Sequence, residues 1–274
     1  MKNAKEIVKE KYGQIAGNSH TESNLSCCGP SCCGESIDYT VFSDSYDKID
    51  GYNPDADLGL GCGIPTEFAR IKKGDTVVDL GSGAGNDCFV ARALTGSTGK
   101  VIGIDMTEPM VDKARNNLEK LGYTNVEFRI GDIEEMPVES DSTDVVISNC
   151  VLNLVPDKLK AFSEIFRILK PGGHLSVSDV VLRGDLPEEI KNAAEMYAGC
   201  ISGAIDIDVY LSMMRSTGLR NIKVQKEKRI TLPDETLVNY LDQSGLNSFK
   251  ESGSGIFSIT VYAEKLKKFE NLKI

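Results

Sequence analysis

The sequence predicts an α/β fold built on a mostly parallel sheet, and three observations predict it. From Lys73 onward, short apolar runs alternate with amphipathic helical stretches. A glycine-rich turn, Gly81 to Gly85, follows the first run. Acidic residues, Asp79 and Asp105, stand at the ends of the first two runs. Alternation of this kind means right-handed βαβ units, and their ligands bind at the carboxyl edge of the strands.

Each element has its own signal. Lys5 to Ile15 carries Ile7, Val8, Tyr12 and Ile15 at helical spacing. GNSHTESNLSCCGPSCCGES is polar and punctuated by Gly, Ser and Pro, hence loop. Tyr39 to Gly63 reads as turns and short pieces. Asp75 to Leu80, Lys100 to Met106, Val126 to Asp132, Thr143 to Cys150 and His174 to Leu182 read as strands. Between them, Asn86 to Leu94, Glu108 to Leu121 and Asp157 to Lys170 read as helices, the last stopped by Pro171-Gly172-Gly173. Glu188 to Tyr197, Asp206 to Thr217 and Asp234 to Leu241 follow as helices. Asn221 to Ile230 and Ile256 to Lys265 alternate as strands, the second completing the sheet antiparallel. The expected organisation is an N-terminal helix and Cys-rich arm (1–60), a ligand-binding α/β domain (61–182), and a lid and C-terminal region completing the sheet (183–274).

Composition narrows the function. The 274 residues carry Lys+Arg 31 against Asp+Glu 41, a net charge of -10. That balance speaks against a non-specific binder of nucleic acid or anionic membrane, whose phosphates need Lys and Arg. The longest uncharged apolar run, Val145 to Pro156, has 12 residues, short of the roughly 20 that a membrane span needs. The opening MKNAKEIVKEKYG lacks the apolar core of a secretion signal. The expectation is a cytoplasmic protein with reduced thiols.

Eight cysteines then need a reason: Cys27, Cys28, Cys32, Cys33, Cys62, Cys88, Cys150 and Cys200. Thiolates are soft ligands, and only His20 and His174 could join them. A soft-ligand site in this chain is almost purely sulfur.

The turn Asp79-Leu80-Gly81-Ser82-Gly83-Ala84-Gly85 joins a strand to a helix. Glycines there let the backbone approach a ligand closely. Asp105, 20 residues after Gly85, suits a ribose. An acid two residues before the first glycine would repel a pyrophosphate and attract an amino group. A nucleoside with a cationic amino-acid tail is favoured over NAD or FAD, and S-adenosylmethionine is such a ligand.

VVDLGSGAG, GIDM and Gly131-Asp132 resemble the nucleoside-binding motifs of class I S-adenosylmethionine-dependent methyltransferases. The resemblance implies a Rossmann-like class I methyltransferase fold with a seven-stranded sheet. It implies that Asp79 faces the methionine ammonium while Gly81, Gly83 and Gly85 line the tail and ribose. Asp105 would hold the ribose, Met106 would cover the adenine, Asp132 and Ile133 would meet its edge, and Asn149 would lie below the methionine moiety.

The acceptor is read from the remaining cysteines. Cys150 follows the fourth strand, Cys62 sits in GLGCG, and Cys200 sits in AGCISG after the fifth strand. Three loops on one sheet edge can bring the three thiols together. Such a set suits arsenite, whose lone pair can take a methyl group without a general base. VKEKYG, the CC pairs, GYNPDADLGLGCGIP, DLGSGAGNDCFVA, SNCVLNLVPDK and YAGCISGA together resemble the arsenite methyltransferase family over residues 5–205. The resemblance implies Cys62, Cys150 and Cys200 as arsenic ligands, arsenite and methylarsenicals as substrates, and a redox step at Cys27, Cys28, Cys32 or Cys33. It also implies thioredoxin or a small thiol as reductant. A quinone-type C-methyltransferase, suggested by VLNLVPDKLKAFSEIFRILKPGGHL, and a non-catalytic metalloid-binding protein are the alternatives.

Other residues have plainer readings. Cys88 is expected to pack in the core, since cysteine is among the most buried residue types. CCxxxCC lacks the two separated pairs of a usual structural zinc site. His174 reads as a strand-start residue, and Asp55 and Asp57 as turn carboxylates.

Overall fold

A computed structural model of the chain describes residues 4–17, 44–184, 186, 201, 203–231, 237–238 and 243–267. The expected helix Glu188 to Tyr197 lies outside the described residues, as do Cys27, Cys28, Cys32, Cys33 and Cys200. The expected helix Asp234 to Leu241 is described only at Leu237 and Val238.

The α/β alternation expected from Lys73 onward is present. Helix α1 is Ala4–Gly17 and α2 is the short Pro65–Phe68. Then come β1 (Thr76–Leu80), α3 (Asn86–Thr95), β2 (Lys100–Asp105), α4 (Glu108–Leu121), β3 (Val126–Ile130) and β4 (Thr143–Asn149). A 3₁₀ turn, Leu152–Leu154, leads to α5 (Lys158–Ile168) and β5 (Leu169–Arg183). The chain continues with α6 (Ile207–Ser216), β6 (Arg220–Ile230), α7 (Gln243–Glu251) and β7 (Gly255–Glu264).

The seven strands lie in the order β3-β2-β1-β4-β5-β7-β6. Pairings among β1 to β5 are parallel, and β7 runs antiparallel to both β5 and β6. The strand order reverses between β1 and β4, which opens a crevice at their carboxyl ends. Successive side chains alternate between two cores. Val78, Leu80 and Val146 pack under α5 and α6, while Val77, Val145 and Ile147 pack with Phe89 and Ala114 of α3 and α4.

Local chemistry sets the element ends. Asp157 and Asp206 cap α5 and α6 by accepting from the N–H of Lys160 (2.9 Å) and of Asp208 (2.8 Å). Gly122, at φ +67°, ends α4 in the left-handed region. Pro171-Gly172-Gly173 does not stop α5, contrary to the expectation. The helix already ends at Ile168, and the triplet forms an irregularity inside β5, where the register jumps from Leu169 opposite Thr143 to His174 opposite Val145. Gly172, at φ +90°, donates to the Lys265 carbonyl at 2.7 Å.

Candidate active site

A cavity opens at the β1/β4 crevice. Its wall includes Asp79, Gly81, Gly83, Asp105, Met106, Asp132, Ile133 and Asn149, eight of the nine residues expected to hold the cofactor. Gly85 is the exception. At φ +100° it turns the chain into α3, and a Cβ there would lie 2.7 Å from Phe128 Cζ. Its task is close packing of the helix on the sheet. Gly83, at φ +51°, has nothing within 4 Å of where a Cβ would stand.

Three acids share this wall, Asp79 buried and Asp87 and Asp105 half-buried. Asp79 is 2% exposed and accepts a hydrogen bond from the Cys88 thiol at 3.2 Å. Burial, and then the charge of Asp87, push its carboxyl well above the usual range. Asp87 accepts from the Tyr46 hydroxyl at 2.8 Å and Asn149 Nδ2 at 3.1 Å, and burial raises it to about 6 despite these bonds. Asp105 accepts from the N–H of Gly83 at 3.0 Å and of Thr107 at 2.8 Å. Burial raises it too. Among the described residues, no cationic side chain pairs with any of the three. A ligand bearing positive charge is what such a donor set fits. Ser82 Oγ is buried without a hydrogen-bond partner and lies against β2, 2.7 Å from where a Cβ on Gly103 would stand. These residues fit S-adenosylmethionine, a nucleoside with a cationic tail.

Sequence reasoning missed part of this wall. Lys5, Val8 and Tyr12 of α1 line the cavity, as do Tyr46 and Asp57. Lys5 Nζ bridges Asp132 (2.5 Å) and Glu134 (2.8 Å). Burial raises Asp132, but the Lys5 bond, the Glu134 N–H and the charges of Lys5 and Lys160 together outweigh it and hold the carboxyl below its ordinary value. The expected N-terminal helix, α1, packs on α4 and lines the cavity beside Asp132. Asp87, an acid in the first turn of α3, was the signal available in the sequence.

Asn149 does more than line the cavity. Its Nδ2 donates to the Gly63 carbonyl (2.9 Å), Tyr46 (3.0 Å) and Asp87, and its Oδ1 accepts from the Cys62 N–H (3.0 Å). One amide thus ties the segment 61–63 to the end of β4. The tie is tight, since a Cβ at Gly61 would lie 2.5 Å from Asn149 Nδ2.

The next residue, Cys150, adopts φ +60°. That is a strained backbone for a residue with a side chain. It is held there by an N–H donated to the Ser178 carbonyl at 2.8 Å. Cys150 lines the cavity, whereas Cys62 does not. Yet Cys62 and Cys150, 1% and 3% exposed, belong to one apolar cluster with Val180, Ile201, Ile230 and Ile256. Ile201 is the chain neighbour of Cys200. Ser258 Oγ donates to the Cys62 carbonyl and fixes this segment to β7.

Cys88 packs in the core as expected, and its thiol also holds Asp79. Burial and Asp79 push that thiol well above its ordinary value, so it stays protonated. His174 is committed to the Ala69 carbonyl at 2.6 Å and to the Tyr262 ring. Asp55 pairs with Lys120 on the surface, and Asp57 accepts from the Gly59 N–H. Among the described residues, no group of three or more His, Cys, Asp and Glu side chains is placed to hold a metal ion. No helix among them is long and apolar enough to cross a membrane.

Comparison with known proteins agrees with this geometry. A methyltransferase-domain family model matches residues 71–229. The arsenite methyltransferase of Halobacterium salinarum is 37% identical over 273 residues, 95% of this chain and 66% of that protein. The arsenite methyltransferase of Aquipseudomonas alcaligenes is 32% identical over 243 residues, 86% of this chain and 68% of that protein. The chain thus spans about two thirds of the length of these relatives. The crystal structure of an arsenic(III) S-adenosylmethionine methyltransferase from Chlamydomonas reinhardtii superposes with a TM-score of 0.62 at 32% identity, covering 77% of this chain and 68% of that one. The chain belongs to the arsenite methyltransferase family of S-adenosylmethionine-dependent class I methyltransferases.

Proposed function

We propose that this chain transfers methyl groups from S-adenosylmethionine to trivalent arsenic held by Cys62, Cys150 and Cys200. The observation that carries the reading is the position of Cys150. It borders the cofactor cavity and shares an apolar cluster with Cys62 and with Ile201, the neighbour of Cys200.

When bound, S-adenosylmethionine supplies a methyl on a cationic sulfonium; the arsenic lone pair forms the new bond and the old bond pair stays on sulfur. Asp79 and Asp87 hold the charged amino-acid tail, Asp105 the ribose, and Met106, Asp132 and Ile133 the base. Asn149 keeps the segment bearing Cys62 against the end of β4, so alignment of acceptor and donor is built into the fold. The apolar residues around Cys62 and Cys150 exclude water, which protects the sulfonium. The chemistry needs no base.

Methylation formally oxidises the arsenic. In this reading Cys27, Cys28, Cys32 or Cys33 helps return it to the trivalent state by forming a disulfide, which thioredoxin or a small thiol then reduces. That requirement suits a reducing compartment such as the cytoplasm.

The test is incubation of the purified chain with arsenite, a thiol and methyl-labelled S-adenosylmethionine. Labelled methylarsenicals are the expected product. Cofactor binding without any arsenic product would remove the reading and favour a carbon acceptor of the quinone type.

A further inference from the structure

Asn149, Cys150 and Val151 lead from the end of β4 into the 3₁₀ turn. Among the described residues, the non-glycine positions with positive φ are Arg70, Asp141, Cys150 and Asn221. Arg70, Asp141 and Asn221 are exposed. Cys150, at φ +60°, is the buried one, and it borders the cavity. A backbone of that kind persists only where its surroundings over-determine it. The bond from its N–H to the Ser178 carbonyl fixes one side.

Val151 holds the other side. A Cβ on Gly81 would lie 2.4 and 2.8 Å from the two Val151 γ carbons and 3.1 Å from its Cβ. The bare Gly81 backbone, at φ +66°, is therefore the floor on which the Val151 side chain sits. Neither partner moves freely. Gly81 and Ser82 donate their N–H groups to the Ile104 carbonyl at 2.7 and 3.0 Å, which binds the glycine turn to β2. Val151 is branched at Cβ and stiff about χ1. Its carbonyl accepts from the Leu154 N–H at 2.9 Å. The Lys158 ammonium pins the same turn by donating to the carbonyls of Asn153 (3.0 Å) and Val155 (3.1 Å). The turn that lines the cofactor cavity and the residue after the thiol thus meet directly.

We propose that Val151 is a positioning residue for methyl transfer: seated on Gly81, it holds Cys150 in its left-handed backbone and so registers the thiol against the cofactor turn. The inference rests on the reading of Cys150 as an arsenic ligand. It gives Gly81 a second task, since a side chain there would displace the acceptor side as well as crowd the cofactor. Without the two γ carbons, the Cys150 backbone is free to relax, and misplacement by about 1 Å can cost on the order of 100-fold in rate.

The experiment uses the full chain with arsenite bound. It reads a single turnover with methyl-labelled S-adenosylmethionine, before any reduction of arsenic is needed. Val151→Ala should slow methyl transfer on the order of 100-fold, with S-adenosylmethionine affinity within about twofold of the parent. Val151→Thr keeps the shape of the side chain and should keep most of the parental rate. Gly81→Ala should slow the reaction on its own. In the double variant the new Cβ takes the space of the lost γ carbons, so its rate should exceed the product of the two losses by at least roughly tenfold. A general loss of stability or of cofactor binding would instead make the two losses multiply. Parental methyl transfer in Val151→Ala would overturn the proposal, as would losses that multiply. An equal loss in Val151→Thr and Val151→Ala would overturn it too, since shape would then not be what matters. The two Val151 variants decide the question alone should Gly81→Ala fail to fold. Cys150→Ser in the same assay separates the two levels. If it methylates arsenite like the parent, the reading of Cys150 fails and takes this inference with it. If it is inactive while Val151→Ala is parental, that reading stands and the role of Val151 falls.

Discussion

Asp79 and Asp87 sit in one wall, and the charge of Asp87 adds to the cost that burial sets on ionising Asp79. Both carboxyls lie above the unfolded value of about 3.9, Asp87 at about 6. The folded chain therefore binds more protons than the unfolded chain. The stability tied to Asp87 is present at low pH and is lost as pH rises from about 4 through about 6. A cationic ligand favours the carboxylates, so binding should release protons. Calorimetry of S-adenosylmethionine in buffers of different ionisation heat should show that release, and affinity should fall as pH drops below about 6. A binding enthalpy independent of buffer would sink this account of the tail site. Asp79→Asn removes a buried acid while keeping its shape. It should raise the ligand-free melting temperature at pH 7.5 by about 2–4 °C and weaken S-adenosylmethionine at least roughly tenfold. A lower melting temperature would show that the carboxyl is better satisfied than its surroundings indicate. Gly81, Gly83, Asp79 and Asp105 were legible because strand-end position and residue type together decide their role. Tyr46 was not, because its contacts with Asp87 and Asn149 exist only in the packed β1/β4 crevice.

Helix α1 changes how the Cys-rich segment has to be tested. Removing residues 1–35 would take away Lys5, Val8 and Tyr12 from the cofactor wall together with the cysteines. Replacing Cys27, Cys28, Cys32 and Cys33 by Ser keeps the helix and separates the two effects. The fourfold variant should bind S-adenosylmethionine and arsenite like the parent, yet stall after few turnovers in a steady-state assay with thioredoxin. Full multiple turnover would remove those thiols from the mechanism. Lys5→Met addresses the helix alone. It should weaken S-adenosylmethionine by up to about fivefold, less at high salt, because the pairs it breaks are partly exposed. The same reasoning shows which elements the sequence could reveal. Strands β1 to β5 were legible, since buried apolar runs with Gly boundaries have few other uses. Helix α7 was not. Its segment QSGLNSFKE carries Gly, Asn and two Ser, weak helix formers, and Leu246 docks it into the cluster that contains Cys62. Packing, not propensity, makes that helix.

At the scale of the whole molecule, the proposed reaction divides its tasks between two groups of residues. The cofactor wall comes from the ends of β1, β2 and β4, from the residues that follow β3, and from α1. The proposed thiol ligands among the described residues, Cys62 and Cys150, come from the segment before α2 and the end of β4. Asn149 and Cys150 are where these parts join. Substitutions on the thiol side should therefore spare cofactor affinity. Ser is close to Cys in size but offers a hard oxygen to a soft centre. Cys150→Ser should abolish arsenite methylation and leave S-adenosylmethionine affinity within about twofold. Cys62→Ser should also stop methylation of arsenite. It should still permit methylation of a monomethyl arsenical, which carries one carbon bond and needs only two thiols. Cys88→Ser belongs to the other side. Its hydroxyl is a stronger donor to Asp79 than a thiol, so it should alter cofactor affinity and leave arsenic coordination untouched. The measurements are cofactor titration, arsenite binding and product analysis on the same four proteins. Normal arsenite methylation by both Cys62→Ser and Cys150→Ser would break the metalloid reading, and the fold would then be serving a carbon acceptor beside the same cofactor wall.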